Sequence, residues 1–457
     1  MRFFLFLSCL LVLVAFIVPD NNNYNKPFPP ISDEFKLIWK AKTGIATFRT
    51  NVLIEKNDLI IGSNGRALMD YNYFDTGSGI YIIDRITGKV KHHFGDEVMG
   101  DMDINGVINF KNNFYFGNDN EEFLCTTREG KIIWRNPVSG DIEHEPVILK
   151  IRDKDYIVYA TEEGEIQAVD PSNGTSIWTY YTPDFKGWKP GKNRNLFKVR
   201  AYFRNSTSFF TKPVVVDLNS DNVKDLVYNT FDNKLYAIDG LTGKLLWNYD
   251  DDDNLSYFTV LDQRNTEPAL IVASAKFNEN DLYEYSLLRF DQKGVKTVLY
   301  AGNFGNGFGL NTLQISPDKL LIPCTDSLAI YNFEKNHIEW VDRSITYLYE
   351  NSLDLEKRQI LESRNAIEPV VSNEFINYKG DSTCIILLSQ FDPAFYQNET
   401  GVLEIISVKE RKVIKRFSLP SQTELQPVIT DINGDGKKDI LINCRDGFTY
   451  CYELPGN

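Results

Sequence analysis

The sequence predicts an all-β protein, a single eight-bladed β-propeller closed by pairing its N-terminal strand with its C-terminal blade. A hairpin motif recurs along the 457 residues, and a second apolar motif precedes several of its copies. No stretch beyond the N-terminus shows sustained helical periodicity. Hydrophobic residues form 42% of the chain and charged residues 25%, which provides a sizeable core and excludes a wholly disordered chain.

The hairpin motif is clearest at residues 239–247, which read Asp-Gly-Leu-Thr-Gly-Lys-Leu-Leu-Trp. Residues 170–178 match it in register, and residues 84–92 match it with His92 in the tryptophan position. A strand that ends at Asp, a turn that uses Gly at positive φ and a strand that closes on a large aromatic together predict a β-hairpin. Weaker copies occur near residues 128–134, 291–294, 332–340 and 408–413.

The second motif is Pro followed by apolar residues, at 146–149, 213–216, 369–371 and 427–429. With the hairpin it gives a unit of four short strands over about 40–50 residues, the length of a propeller blade. Seven hairpins are present, while residues 35–39 resemble a lone closing strand and residues 427–454 a unit of three strands. Pairing these two ends removes two exposed sheet edges and gives an eighth blade. A seven-bladed ring is the alternative, because the fifth and seventh units are irregular.

The N-terminus predicts export. We expect residues 1–18 to be a signal peptide or a membrane anchor. Their apolar run is typical of a signal peptide and short for a full bilayer span. Residues 19–34 follow as a polar spacer, and residues 35–457 form the propeller. This order predicts an extracytoplasmic location, whether periplasmic, attached to the cell envelope or secreted. The net charge of −14 argues against nucleic-acid binding. Beyond Cys9 there are five cysteines, which we expect to be buried free thiols.

The hairpins resemble the repeats of PQQ-like (quinoprotein-type, BamB-like) β-propellers, a class that includes the assembly lipoprotein BamB and the quinoprotein dehydrogenases. The resemblance covers most of residues 35–454. It implies the fold and leaves the activity open. The dehydrogenases carry adjacent cysteines beside their cofactor, and this sequence has no Cys-Cys pair.

Two loops have the spacing of calcium ligands and resemble the loops of FG-GAP (integrin-type) propeller repeats. Each offers oxygen side chains at positions 1, 3, 5 and 9 and a main-chain carbonyl at position 7, a set that suits a hard cation. The alternative is an Asp/Asn-rich turn without metal. The candidate ligands of the first loop are Asp431, Asn433, Asp435, Lys437 and Asp439. Those of the second loop are Asp217, Asn219, Asp221, Val223 and Asp225.

A long insertion at residues 179–212 carries eight basic residues and one acidic residue. Long insertions on rigid repeat scaffolds often carry binding residues. We therefore predict that the insertion contacts an anionic partner, either an acidic glycan or an acidic protein surface, through Trp188, Arg194 and Arg200. The alternative is a packed loop that neutralises acidic neighbours.

The sequence predicts a non-catalytic, calcium-stabilised and monomeric propeller, a binding or scaffold protein of the cell envelope or exterior. It carries no nucleophile-elbow, P-loop or zinc-protease motif, and its four histidines lie in different units. A polysaccharide-acting, lyase-like propeller is the first alternative. A quinoprotein oxidoreductase is the second.

Overall fold

The computed structural model describes residues 28–65, 77–95, 103–185, 209, 211–250, 254–255, 259–264, 267–277, 283–302, 309, 311–324, 327–343, 369–391 and 400–455. Within these residues a 3₁₀ turn at Ile31–Asp33 leads into the first strand, β1 (Lys36–Lys42). The other strands follow as antiparallel meanders of four or five strands.

The first four blades each have four strands. Blade 1 consists of β2 (Val52–Ile54), β3 (Asp58–Asn64), β4 (Ser78–Asp84) and β5 (Val90–Gly95). Blade 2 consists of β6 (Val107–Phe110), β7 (Asn113–Asn118), β8 (Glu122–Thr127) and β9 (Ile132–Pro137). Blade 3 consists of β10 (Val147–Ile151), β11 (Lys154–Ala160), β12 (Glu165–Val169) and β13 (Ser176–Tyr181). Blade 4 consists of β14 (Val214–Val216), β15 (Asp225–Asn229), β16 (Leu235–Ile238) and β17 (Leu245–Tyr249).

Blades 5 and 7 each have two short first strands against one long second strand. Blade 5 consists of β18 (Asn254–Leu255), β19 (Val260–Leu261), β20 (Ala269–Phe277), β21 (Tyr283–Asp291) and β22 (Lys296–Ala301). Blade 6 consists of β23 (Leu313–Ser316), β24 (Lys319–Pro323), β25 (Ser327–Asn332) and β26 (His337–Asp342). Blade 7 consists of β27 (Val370–Val371), β28 (Ile376–Tyr378), β29 (Asp381–Phe391), β30 (Thr400–Ser407) and β31 (Lys412–Ser418). Blade 8 consists of β32 (Val428–Thr430), β33 (Asp439–Cys444), β34 (Phe448–Glu453) and β1.

The ring closes as predicted, with eight blades. Strand β1 pairs antiparallel with β34, from Lys36 opposite Glu453 to Lys42 opposite Phe448. Trp39 in this strand is 6% exposed, so the closing strand contributes to the core as well as to the hydrogen-bond ladder. The N-terminal strand thereby supplies the fourth strand of the last blade.

The recurring hairpin motif joins neighbouring blades. The Trp178 indole N–H of blade 3 donates to the Gly240 carbonyl in the turn of blade 4, at 3.1 Å. Gly243 of that turn has a φ of +70°, and a Cβ there would lie 2.6 Å from the Trp178 ring. Glycine is therefore required both by the backbone conformation and by the close approach of the ring. His92, in the tryptophan position of blade 1, hydrogen bonds through Nε2 to the Glu129 carbonyl of blade 2, at 3.0 Å.

The core lies largely between adjacent blades, where apolar side chains of neighbouring sheets interdigitate. For example, the rings of Phe123 in blade 2 and Tyr159 in blade 3 lie 4.0 Å apart. The five described cysteines are buried, as predicted. Residues 28–35 pack against blade 7, where the Ser418 amide donates to the Pro29 carbonyl. No helix among the described residues is long and apolar enough to cross a membrane.

Candidate binding site at the mouth of the central channel

The antiparallel order of the strands assigns every loop to one of two faces of the ring. The loops that enter each first strand lie on the same face as those that join second and third strands. We call this the channel face. The loops that join first to second and third to fourth strands lie on the opposite face. The Asn443 amide in blade 8 illustrates the channel face, since it donates to the carbonyl of Gly44, which follows β1, at 3.0 Å.

A cavity of about 300 Å³ opens on the channel face. Its lining residues come from the entries to the first strands of blades 1, 3, 4 and 8 and from blade 7. Blades 3 and 4 lie across the ring from blades 8 and 1, so residues of both sets can line one cavity only near the ring axis. The cavity is therefore the mouth of the central channel. Its lining includes Phe48, Arg49, Asn51, His144, Glu145, Lys212, Leu425 and Gln426.

Asn51 ties the first strands of blades 1 and 2 together at this mouth. Its side-chain amide donates to the Val107 carbonyl at 2.8 Å, and its side-chain oxygen accepts from the Val107 amide at 2.9 Å. Asn311 makes the same pair of bonds with Val371 of blade 7, both at 2.9 Å. These two side chains join neighbouring blades at their first strands, and Asn51 itself lines the cavity, so its pair of bonds fixes that part of the rim.

Arg49, at the entry to blade 1, extends to an acidic sector formed by blades 2 and 3. Its Nη1 lies 2.5 Å from the carboxylate of Glu143, which also accepts a hydrogen bond from Asn105. Burial and the nearby carboxylates of Glu143 and Asp141 raise the pKa of Glu162 well above its ordinary value. Burial, together with the neighbouring carboxylates, therefore favours a protonated Glu162.

His144 is a buried side chain of the cavity wall, 1% exposed. Its Nδ1 lies 2.8 Å from the Glu145 carbonyl, and a carbonyl only accepts, so Nδ1 carries the hydrogen and Nε2 is an acceptor. Burial lowers the pKa of His144 to about 4, which leaves the ring neutral at pH 7. The neighbouring Glu145 carboxylate forms an ion pair with Lys212.

Sequence reasoning did not single out Arg49, Glu143 or His144 for binding. His144 precedes the Pro-Val strand of its unit. This place in the repeat was the one sequence feature that could have pointed to His144 as a residue of the binding site. Phe231 was missed as well. It lies in the loop between β15 and β16 on the channel face and is 53% exposed.

The predicted ligand residues Trp188, Arg194 and Arg200 lie outside the described residues. Both ends of their insertion lie on the channel face, because it joins β13 to β14. Asp184 at the first end lies 2.9 Å from Lys234 of blade 4. Lys212 at the second end lines the cavity.

The first predicted calcium loop joins β32 to β33 on the opposite face. The Asp431 carboxylate accepts from the amides of Gly434 at 2.6 Å and Gly436 at 2.9 Å, and Gly436 has a φ of +85°. Asp439 is fully buried, and its Oδ2 accepts from the Asn433 amide at 3.0 Å. Its Oδ1 has no partner among the described residues. Burial raises the pKa of Asp439 to about 6, as expected for a carboxylate that lacks a compensating cation.

The second predicted calcium loop joins β14 to β15 and has similar internal bonds. The Asp217 carboxylate accepts from the amide of Asn222 at 3.1 Å, and Asn222 has a φ of +67° in the glycine position. Both carboxylate oxygens of Asp225 are hydrogen bonded, since one accepts from the backbone amide of Leu218 and the other from that of Gly240. Oxygen donors of this kind fit calcium by their chemistry. Among the described residues, however, no group of three or more His, Cys, Asp or Glu side chains is arranged to hold a metal ion.

The eight four- or five-stranded sheets and the closed ring define the class of this chain, an eight-bladed β-propeller. Residues 38–180 match the family model of the outer membrane protein assembly factor BamB. This match spans most of β1 and nearly all of blades 1 to 3. The sequence matches no curated protein.

Solved structures extend the likeness to the whole ring. BamB from Moraxella catarrhalis matches with a TM-score of 0.52 and 13% identity, over 92% of this chain and 100% of its own. Quinohemoprotein alcohol dehydrogenase ADHIIG from Pseudomonas putida HK5 matches with a TM-score of 0.55 and 12% identity, over 94% of this chain and 78% of its own. An assembly factor and a dehydrogenase thus share this architecture, so the likeness defines the fold and not the activity.

Proposed function

We propose that this protein is a non-catalytic binding or scaffold propeller of the cell envelope or exterior, and that it holds a protein partner on its channel face. The acidic sector around Arg49 carries this proposal. Burial beside the carboxylates of Glu143 and Asp141 raises the pKa of Glu162, and basic side chains of a partner would stabilise the charged carboxylates of this sector.

The charge pattern of the face favours a protein over a polyanionic glycan. Blades 2 and 3 contribute carboxylates such as Asp141, Glu143 and Glu162, while the insertion that begins and ends on this face is strongly basic. A partner with charges of both signs complements such a face, whereas a uniform polyanion would be repelled by the acidic sector. Within this proposal Trp188, Arg194 and Arg200 contact acidic groups of the partner.

The proposed location rests on two observations of different kinds. Residues 1–18 have the pattern of an export signal, and residues 38–180 match an outer membrane assembly factor. Calcium is proposed as a structural ion of the opposite face, with Asp439 as the buried carboxylate that it would neutralise.

Charge variants of the acidic sector test the proposed function. The protein is purified with bound partners after reversible crosslinking in cells, as wild type and as the Asp141→Asn, Glu143→Gln double variant. A matched double variant, Glu129→Gln with Glu410→Gln, removes two acids from turns of the opposite face. We expect the first double variant to lose its crosslinked partner and the second to keep it. Equal partner recovery from both variants would contradict the proposal.

A further inference from the structure

We propose that Asn173 is the attachment site of an N-linked oligosaccharide, on the face of the ring opposite to the channel face. Residues 173–175 read Asn-Gly-Thr. An Asn followed two residues later by Ser or Thr is the acceptor sequence of N-glycosylation in the surface loops of exported proteins. The inference rests on the predicted export of the chain and is independent of the proposed partner.

The acceptor sequence departs from the hairpin motif of this chain at the two positions that define an acceptor. The hairpins at residues 84–92 and 239–247 read Thr-Gly-Lys where this hairpin reads Asn-Gly-Thr. Gly174 is required by the fold, because it has a φ of +73° and a Cβ there would lie 2.7 Å from the Trp134 ring. The packing of the blades therefore explains Gly174 and does not explain the residues on either side of it.

The turn presents Asn173 to solvent from a fixed base. The Trp134 indole N–H of blade 2 donates to the Pro171 carbonyl at 3.0 Å, which holds the turn against the neighbouring blade. Asn173 and Thr175 are both exposed. The turn joins β12 to β13, so it lies on the opposite face. A glycan on Asn173 is therefore accommodated without displacement of the blade.

The nitrogen that would carry the glycan is not used by the turn. The side-chain oxygen of Asn173 accepts from the Thr175 amide at 2.9 Å, and Nδ2 makes no hydrogen bond with the residues that the structure describes. In the hairpin of blade 1 the residue at this position is Thr87, whose hydroxyl donates to the Asp84 carboxylate at 2.9 Å. The side chain is thus part of the turn in blade 1, whereas in blade 3 its nitrogen is left to solvent.

The modification is a group transfer from an oligosaccharide carried on a lipid pyrophosphate, catalysed by a transferase of the export route. A bond forms between Asn173 Nδ2 and the anomeric carbon of the first sugar. The bond from that carbon to the pyrophosphate oxygen breaks, and the lipid pyrophosphate leaves with its electron pair. One of the two Nδ2 protons is released, so the product is a secondary amide. The transfer involves no oxidation or reduction.

The acceptor pattern occurs three more times in the chain. Two copies begin at Asn205 and Asn398, which lie outside the described residues. The third begins at Asn254 in β18, within the sheet of blade 5, and its next residue, Leu255, is 6% exposed. Within the described ranges, Asn173 is therefore the acceptor that an exposed turn presents.

The expected role of the glycan is to keep this sector of the opposite face in solvent. An oligosaccharide is bulky and hydrophilic, so it would exclude a protein partner from the turn of blade 3. The channel face, which carries the acidic sector, would remain open to a partner.

The test is mass spectrometry of the full chain purified from its native cells. After proteolysis, fragmentation by electron transfer keeps a glycan on the residue that carries it and so identifies the site. We expect the mass of an oligosaccharide on Asn173. Asn112 is an exposed asparagine on the same face without Ser or Thr two residues later, and it should carry none. Recovery of Asn173 only in unglycosylated form would overturn the proposal.

Substitutions at Thr175 separate the acceptor sequence from the fold. Thr175→Ala removes the hydroxyl of the acceptor sequence and should abolish the glycan on Asn173, whereas Thr175→Ser keeps a hydroxyl and should retain the glycan. Thr175 is exposed and keeps its backbone bond to Asn173 in both variants, so the Tm of the deglycosylated proteins should be equal. Equal occupancy of Asn173 in the two variants would overturn the proposal.

Discussion

Replacing His144 with Leu should remove a defined part of the pH dependence of folding. Burial lowers the pKa of His144 from its ordinary value of 6.5 to about 4. Between these pH values the unfolded chain binds the proton and the folded chain does not, so the free energy of unfolding falls as the pH drops from 6.5 to 4. A difference of about 2.5 in pKa corresponds to a loss of about 3 kcal/mol. The side chain is 1% exposed, so solvent screening does not reduce this figure.

Urea unfolding at a series of pH values from 7.5 to 4 measures this loss. The wild type should lose about 3 kcal/mol more than the His144→Leu variant across that range. His337→Leu is the matched control, since His337 is exposed, and its curve should run parallel to the wild type. Parallel curves for the wild type and the His144→Leu variant would refute the reasoning.

Three further predictions concern the ring, the metal and the insertion. Deleting residues 1–42 removes Trp39 and the closing strand, so it should unfold the ring cooperatively; an unchanged Tm would refute closure by this strand. Calcium should raise the Tm, and Asp435→Ala should remove most of that increase, whereas identical melting curves in calcium and chelator would indicate an ordinary turn. Changing Arg194 and Arg200 together to Ser should reduce recovery of the crosslinked partner at unchanged Tm, and a lowered Tm with unchanged partner recovery would favour the packing alternative.

The fold could be predicted from the sequence because its repeat encodes a physical contact. In the hairpin, Gly243 is needed where the Trp178 ring of the preceding blade covers the turn, so the motif records both the turn and the blade packing. The closing strand was predictable for the same reason, since the Trp39 indole N–H donates to the Arg85 carbonyl of blade 1 at 2.9 Å.

The candidate site was less predictable, because it is assembled from blades far apart in sequence. Arg49 and Glu143 form an ion pair across 94 positions of the chain, and neither belongs to a recurring motif. The burial of His144 depends on the packing of Tyr228 from the next blade, with ring centroids 5.7 Å apart. Short motifs describe contacts within a blade or between neighbours, and the channel mouth is formed by the closure of the whole ring.

Site-specific photo-crosslinking tests the central claim, that the channel face holds a protein partner. A benzoyl-phenylalanine replaces Phe231 on the channel face, which is 53% exposed, or Ile86 in a turn of the opposite face, which is 55% exposed. The two positions differ in face and not in accessibility. The account predicts a discrete crosslinked protein from position 231 in intact cells and none from position 86. A crosslinked protein from position 86 alone would contradict it.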